Sequence, residues 1–576
     1  MASCPTEIDD KREFGEKDNQ NDDVDPTNTP MEGTQVLHNA AVDKNGIRLH
    51  PQPTSDPLDP LNWSSLQKNG ILSIVMFKYV PNQLRELLDI ARKQSTRLAD
   101  ILLTLVRYFL FTYLTTTTVP SFPEIQDQYS INYSQVNWTV AVPALGLSVG
   151  PLIWSSLGEI FGRRVVFLVG TTISLASTIG AAGADSYSGY MAARFFQGFG
   201  VSPASTVGMA VVTDLFYDYE RGQKLGLWVL AIDAGLLLGP TFGGFLDLVS
   251  APWINWFNAI LFATLLLLEL FFMPETLYPR NKMLQQMPRL DGNKALPSDV
   301  EKQIAGDDTA TSMSPETLPS ELRRTKNLPF INWRPIPGMR HPKPWDSITR
   351  FVLTFQLSTV VIAVVGFSFV WYWWVLSVIT MVPAAYPNYT PLIQGLLFLG
   401  LFLGTVLSEI GCSGRLSDFI VEKLAKRNGN IRVPEMRLWL AYPAILITTV
   451  GLVVWGISID KNYHWMVGQV AFFLFAAGIQ IGNTVTSSYI VDCYPLQTTS
   501  VITFYAVFLN LSAFINPFFI ANWQASSGWT WTFTAQGLIV LGGGFLVFGG
   551  LHMFGAWMRA KAPQPSWVNP EFDMDP

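Results

Sequence analysis

Twelve windows of about 20 predominantly apolar residues recur along this chain, each long enough to cross the hydrocarbon core of a bilayer as a helix. They run over residues 101–119, 136–157, 165–183, 189–213, 224–249, 253–273, 351–380, 391–411, 437–458, 463–489, 499–522 and 530–557. Ordinary soluble domains carry roughly 25% charged residues, whereas here 14% are charged and 49% hydrophobic. The expected fold class is an all-α membrane protein of twelve transmembrane helices.

Residues 274–348 are polar and hold eleven Lys or Arg, so they divide the chain into a half at 101–273 and a half at 349–558. Basic residues collect in cytoplasmic loops, and they fall in every second loop here. Arg163 and Arg164 follow span two, Arg221 and Lys224 follow span four, and Arg415, Lys423, Lys426, Arg427, Arg432 and Arg437 follow span eight. The opposite loops carry only Lys461. Both termini, including residues 559–576, and the 274–348 loop are therefore expected in the cytoplasm, and the sequons at Asn132 and Asn388 fall in outward loops as glycosylation sites.

Residues 1–69 are polar, acidic and proline-containing, a composition that cannot bury enough apolar surface to fold. They are read as a cytoplasmic tail without a cleavable leader, the first span directing insertion. Residues 70–107 are irregular: Ile71–Val80 is too short to span, and joining Lys78 to Tyr108 would restore one clean span. That region is either an insertion or an amphipathic interfacial helix. Cys4, Cys412 and Cys493 are scattered and give no disulfide framework or metal spacing. No metal, cofactor or nucleic-acid partner is expected, since the net charge of −6 reflects an acidic tail beside basic inner loops.

Span five carries the stretch GLLLGPTFGG, with Gly235, Gly239 and Gly243 four residues apart on one helix face, followed by Gly244. Missing side chains let a neighbouring membrane helix approach closely, and Pro240 predicts a bend. LGEIFGRRVVF follows span two, and RFFQGFG lies in span four. In this order the three motifs resemble those of the major facilitator superfamily. PET at Pro274, GRLSD at Gly414, PEMRL at Pro434 and DPLDPLNWS before the first span extend the likeness to fungal members of its twelve-helix drug:proton antiporter family. The run NLSAFINPFFIANW from Asn510 resembles a fungal subgroup that includes polyamine and histidinol permeases. The resemblance implies two pseudo-symmetric six-helix bundles around a central cavity that opens alternately to each side.

Charges inside spans are costly and mark function by default. Arg194, Asp233 and Glu269 are the expected residues of proton coupling, Arg194 having as its alternative a permanent post for backbone carbonyls. Glu409 is read as a helix-end cap. Glu159, Arg163, Arg164, Asp214, Asp418 and Arg437 are expected to gate the cytoplasmic side. Trp371, Gln480, Asn483 and Asn510 are expected to line the substrate cavity, since aromatic faces attract cations.

No phosphate-binding loop of the G-x-x-x-x-G-K-S/T type is present, so the proton gradient rather than ATP is the expected energy source. No catalytic constellation stands outside the spans, which excludes a soluble enzyme. The expected activity is proton-coupled export of small organic compounds such as drugs, toxins or secondary metabolites by a monomer, with lipid as its other partner. Uptake of polyamines or other organic cations is the alternative. The plasma membrane is the expected location, with the vacuolar membrane second.

Overall fold

Within hydrocarbon every backbone N–H and C=O must find its partner inside the protein, and prolines in spans make that requirement visible. A computed structural model describes residues 61, 112–215, 218–277, 335, 342–413, 415–429, 432–563 and 565. Most of the N-terminal tail, the region 70–107, most of the 274–348 loop and most of the C-terminal tail lie outside the described residues. So does the side chain of Asp418.

Among the described residues, ten helices are long and apolar enough to span. These are span two (Tyr133–Ile160), three (Arg163–Ala182), five (Leu230–Asp247), six (Ala251–Phe271), seven (Ser358–Ala385), eight (Pro391–Gly411), nine (Pro434–Asp460), ten (Trp465–Cys493), eleven (Thr498–Phe518) and twelve (Ile520–Lys561). Span one is described only at its C-terminal end, helical over residues 112–116. Span four, expected as one helix, is two: Tyr187–Val201 and Pro203–Leu215. Proline lacks the N–H that would continue the ladder and is well placed to start a helix, so Pro203 restarts the chain after Ser202. Gly528, at φ 75°, breaks the last long helix between spans eleven and twelve.

Spans three and four pack together, as do two and four, and three and six; nine packs on ten and on twelve in the second half. The halves meet along two seams, span five on span eight and span two on span eleven.

The glycines of span five serve both an inner and a cross-half contact. A Cβ at Gly243 would stand 1.9 Å from the Thr117 carbonyl oxygen, and one at Gly239 would stand 2.4 Å from Thr116 Oγ1. Gly244 faces the other way, 2.6 Å from the Pro391 carbonyl, and Gly395 of span eight returns the contact to the Pro240 carbonyl at 2.6 Å. Gly235 is buried on the same helix. Pro240 leaves the Leu236 carbonyl without its intrahelical donor, and Thr116 Oγ1 donates to it at 2.7 Å. Because backbone rather than a flexible side chain meets the added methyl, Gly243→Ala must push spans one and five apart. Overpacking of this kind costs about 1–3 kcal/mol. A thermal unfolding midpoint lowered in Gly243→Ala and unchanged in Gly549→Ala, where the space is open, is the expected result.

Candidate transport site

Asp233 in span five, 8% exposed, accepts a hydrogen bond at 3.0 Å from the Asn483 side-chain amide of span ten. The bond crosses from one half to the other. Tyr505 of span eleven donates its hydroxyl to the Asn483 carbonyl oxygen, fixing which end of the amide faces the carboxylate. Tyr372, from the π-helical turn Phe367–Tyr372 of span seven, stands beside the same group. A helix with π geometry carries one residue more per turn than its α neighbours and so re-aims a side chain, as is common at functional sites.

Beside Asp233 these helices leave a small internal space of about 20 Å3, room for about one water. Its walls are apolar or aromatic, with Leu236, Leu237, Val375, Leu401, Phe475 and Ile479 prominent. Asp233, Gln480, Tyr372 and Thr405 supply the polar groups. Such a mixture, mostly apolar with few polar anchors, is the usual build of a small-molecule site.

Of the residues expected here, the structure brings together Asp233, Gln480 and Asn483. Trp371 does not line this space: it is fully buried within the second half, its indole donating to Thr448 Oγ1 at 3.0 Å and its ring edge-on to Phe367 and Phe548. The next residue of the same aromatic block, Tyr372, takes the place expected for it. Asn510 donates to its own helix at Ala506 and stands apart from the cluster. Glu269 lies in the seam of spans three and six, accepting from Thr171 at 2.9 Å, and does not line the central cavity. Tyr505 and Thr484 were not expected; a lone tyrosine in span eleven and a threonine beside Asn483 gave little signal of their own.

Arg194 is fully buried and uses all five of its N–H groups. Nε donates to the Thr139 carbonyl at 3.0 Å, which Pro143 four residues on leaves without a helical donor. The terminal nitrogens donate to the Leu114 and Thr115 carbonyls, both at 2.9 Å, and to Gln197 and Thr118 side chains. Leu114 and Thr115 belong to the last turn of span one, whose carbonyls have no partner within the helix. A cation also suits that negative helix end. The guanidinium thus ties spans one, two and four together through their backbone carbonyls.

On the side that carries the basic loops the two halves repeat one pattern. Arg163 at the start of span three pairs with Asp214 at the end of span four at 3.4 Å, and Arg437 at the start of span nine pairs with Asp492 at the end of span ten at 2.5 Å. Glu275, after span six, accepts the backbone N–H groups of Arg163 and Arg164 and so caps span three. Arg559 of span twelve pairs with Glu435 at the start of span nine. Glu159 pairs at 3.6 Å with Arg350, on the helix Asp346–Thr354 that precedes span seven. Beside it the Ser156 and Ser347 hydroxyls meet at 2.5 Å. These two contacts join the halves on that side, while Tyr133 of span two donates to the Thr380 carbonyl of span seven on the opposite side at 2.7 Å. A Ser156→Cys, Ser347→Cys pair is close enough for a disulfide, and its oxidation is expected to stop transport, with recovery on reduction.

Two groups of packed membrane-length helices meeting around a small buried space are the build of a membrane transporter. The chain belongs to the major facilitator superfamily, whose family model, described as Major Facilitator Superfamily, matches residues 104–517. It is similar to the "Probable efflux pump mfs2" of Aspergillus flavus, 28% identical over 447 residues, covering 77% of this chain and 98% of that one. The "Probable drug/proton antiporter YHK8" of Saccharomyces cerevisiae is 24% identical over 478 residues, 82% and 87% of the two chains. "Protein HOL1" of the same yeast is 23% identical over 550 residues, 86% and 88%. Among solved structures, the partially occluded inward-open xylose transporter XylE of E. coli superposes with a TM-score of 0.53 at 14% identity, covering 78% of this chain and 95% of that one. That likeness speaks to the fold alone.

Proposed function

We propose that this protein is a proton-coupled exporter of small organic compounds, and that its cavity takes amphipathic monocations. The observation that carries this reading is the Asp233–Asn483 bond, a buried carboxylate of one half held by a neutral amide of the other. A neutral donor lets the carboxylate exchange its charge with either a proton or a cationic ligand, as a permanent Arg or Lys partner would not. Competition for one carboxylate then couples proton entry to cation exit.

The apolar walls favour a ligand with a hydrophobic body and one charged end. A polyamine needs carboxylates spaced along its length, and Asp233 is the one carboxylate lining this cavity among the described residues. That favours export of a drug-like cation over polyamine uptake, in accord with relatives named as efflux pumps and a drug/proton antiporter. Arg194, in this reading, positions spans and carries no proton. Asn132 and Asn388, both exposed, are proposed as glycosylated positions on the outer face.

The test compares cells with and without the protein. Expression is expected to lower accumulation of labelled methylphenylpyridinium, a permanent aromatic monocation, and to leave spermidine unchanged. Raised spermidine with unchanged methylphenylpyridinium would reverse the assignment.

A further inference from the structure

Span eight lines the cavity with Leu401 and Thr405. Glu409 follows Thr405 by four residues, hence on the same helix face one turn farther inward. There the helix passes into a π turn, Glu409–Ser413. Glu409 is 8% exposed, and one carboxylate oxygen accepts from Gln480 at 2.9 Å and from the Thr484 hydroxyl at 3.0 Å. Both donors belong to span ten, where Asn483 between them holds Asp233 instead. A single turn of span ten thus holds one carboxylate from each half, and these donors are neutral. Among the described residues the groups facing the pair include Asp233 from span five, Gln480, Asn483 and Thr484 from span ten, with Tyr372 from span seven and Tyr505 from span eleven beside Asp233, and Glu409 has a further interaction besides these.

We propose that Glu409 is the inner proton-exchange carboxylate of the coupling machinery, a role that rests on the proton-coupled reading above. When a cation enters from the cytoplasm and binds Asp233, the proton leaving the Asp233 carboxylic acid is taken by the Glu409 carboxylate. Glu409 then releases it to cytoplasmic water, and Asp233 is reprotonated from the outer side after the cation departs. Each step moves one proton from an acid to a carboxylate or to water. Nothing else changes charge. Glu409 touches no substrate, which is why exchange and coupling should separate when it is altered.

Purified wild type, Glu409→Gln and Asp233→Asn are compared in liposomes. Three signals are read: methylphenylpyridinium exchange at equal pH, its accumulation driven by a pH gradient, and the infrared stretch of protonated carboxylic acids during acid titration. Glu409→Gln is expected to keep exchange within about threefold of wild type, to lose at least about tenfold in gradient-driven accumulation, and to lack one titrating acid band. Asp233→Asn should lose both transport modes. Wild-type-like accumulation, or an unchanged acid signal in Glu409→Gln, would overturn the proposal. If wild type itself shows no gradient-driven movement, the proton-coupled reading falls. Glu409 is then judged by the infrared signal alone, a missing band supporting it as a proton carrier and an unchanged one refuting it. Should Glu409→Gln fail to insert, Thr484→Val removes one donor and leaves the carboxylate. A shifted acid titration then supports the role, and an unshifted one overturns it.

Discussion

Asp233→Asn is expected to abolish methylphenylpyridinium transport in a protein that still inserts and folds. The substitution keeps the size of the side chain and its capacity to accept from Asn483, so the seam between spans five and ten retains its hydrogen bond. What disappears is the negative charge. Truncating one side of a buried, hydrogen-bonded charge pair costs about 2–5 kcal/mol, equivalent to roughly thirtyfold to several thousandfold in affinity. The loss should show in equilibrium binding as well as in flux, because the charge is removed from the ground state of the loaded transporter. An unaltered thermal midpoint beside lost binding would locate the effect in the cavity. Retained binding would show that the cation is held elsewhere.

Arg194→Ala is expected to damage the fold before it affects coupling. The Thr139 and Thr115 carbonyls would lose the donors described above, and Leu114 would keep only the Thr117 hydroxyl at 3.3 Å. A buried acceptor left without a partner costs about 1–3 kcal/mol. Two such groups, at about 2–6 kcal/mol, take a large share of a total stability that is commonly about 5–15 kcal/mol. Arg194→Lys should recover little, since three donors on a flexible stem cannot replace five in a planar fork. The check is the thermal midpoint and yield of detergent-purified protein. A coupling residue would instead give normal stability with uncoupled exchange. That result for either variant would return Arg194 to proton handling.

The order of the described spans and the glycine face of span five were legible because they depend on local composition and period. The Arg163–Asp214 pair was legible as well, since both residues lie in recognisable turns. Other features depended on partners distant in sequence. Arg194 reads as a costly charge until Pro143 is seen to free the carbonyl that it binds. Glu409 reads as a helix cap until span ten brings Gln480 and Thr484 to it, although its fourfold spacing from Thr405 and Leu401 was present all along. The break in span four was visible as Pro203 but concealed by continuous hydrophobicity on both sides. Glu275 stood in a recognised motif, yet its task, capping span three, required the fold. In the aromatic block of span seven the π turn changed which ring faces the cavity, a shift no regular period predicts.

The central claim is that one carboxylate at the seam of the two halves exchanges a proton for an organic cation. Its most direct test is to load liposomes with wild-type protein and a pH-sensitive dye, make the lumen acidic relative to the bath, and add methylphenylpyridinium outside. Cation accumulation accompanied by lumen alkalinisation, both absent with Asp233→Asn, is the predicted result. Cation movement with no change in lumen pH, or equal alkalinisation in the Asp233→Asn protein, would contradict it.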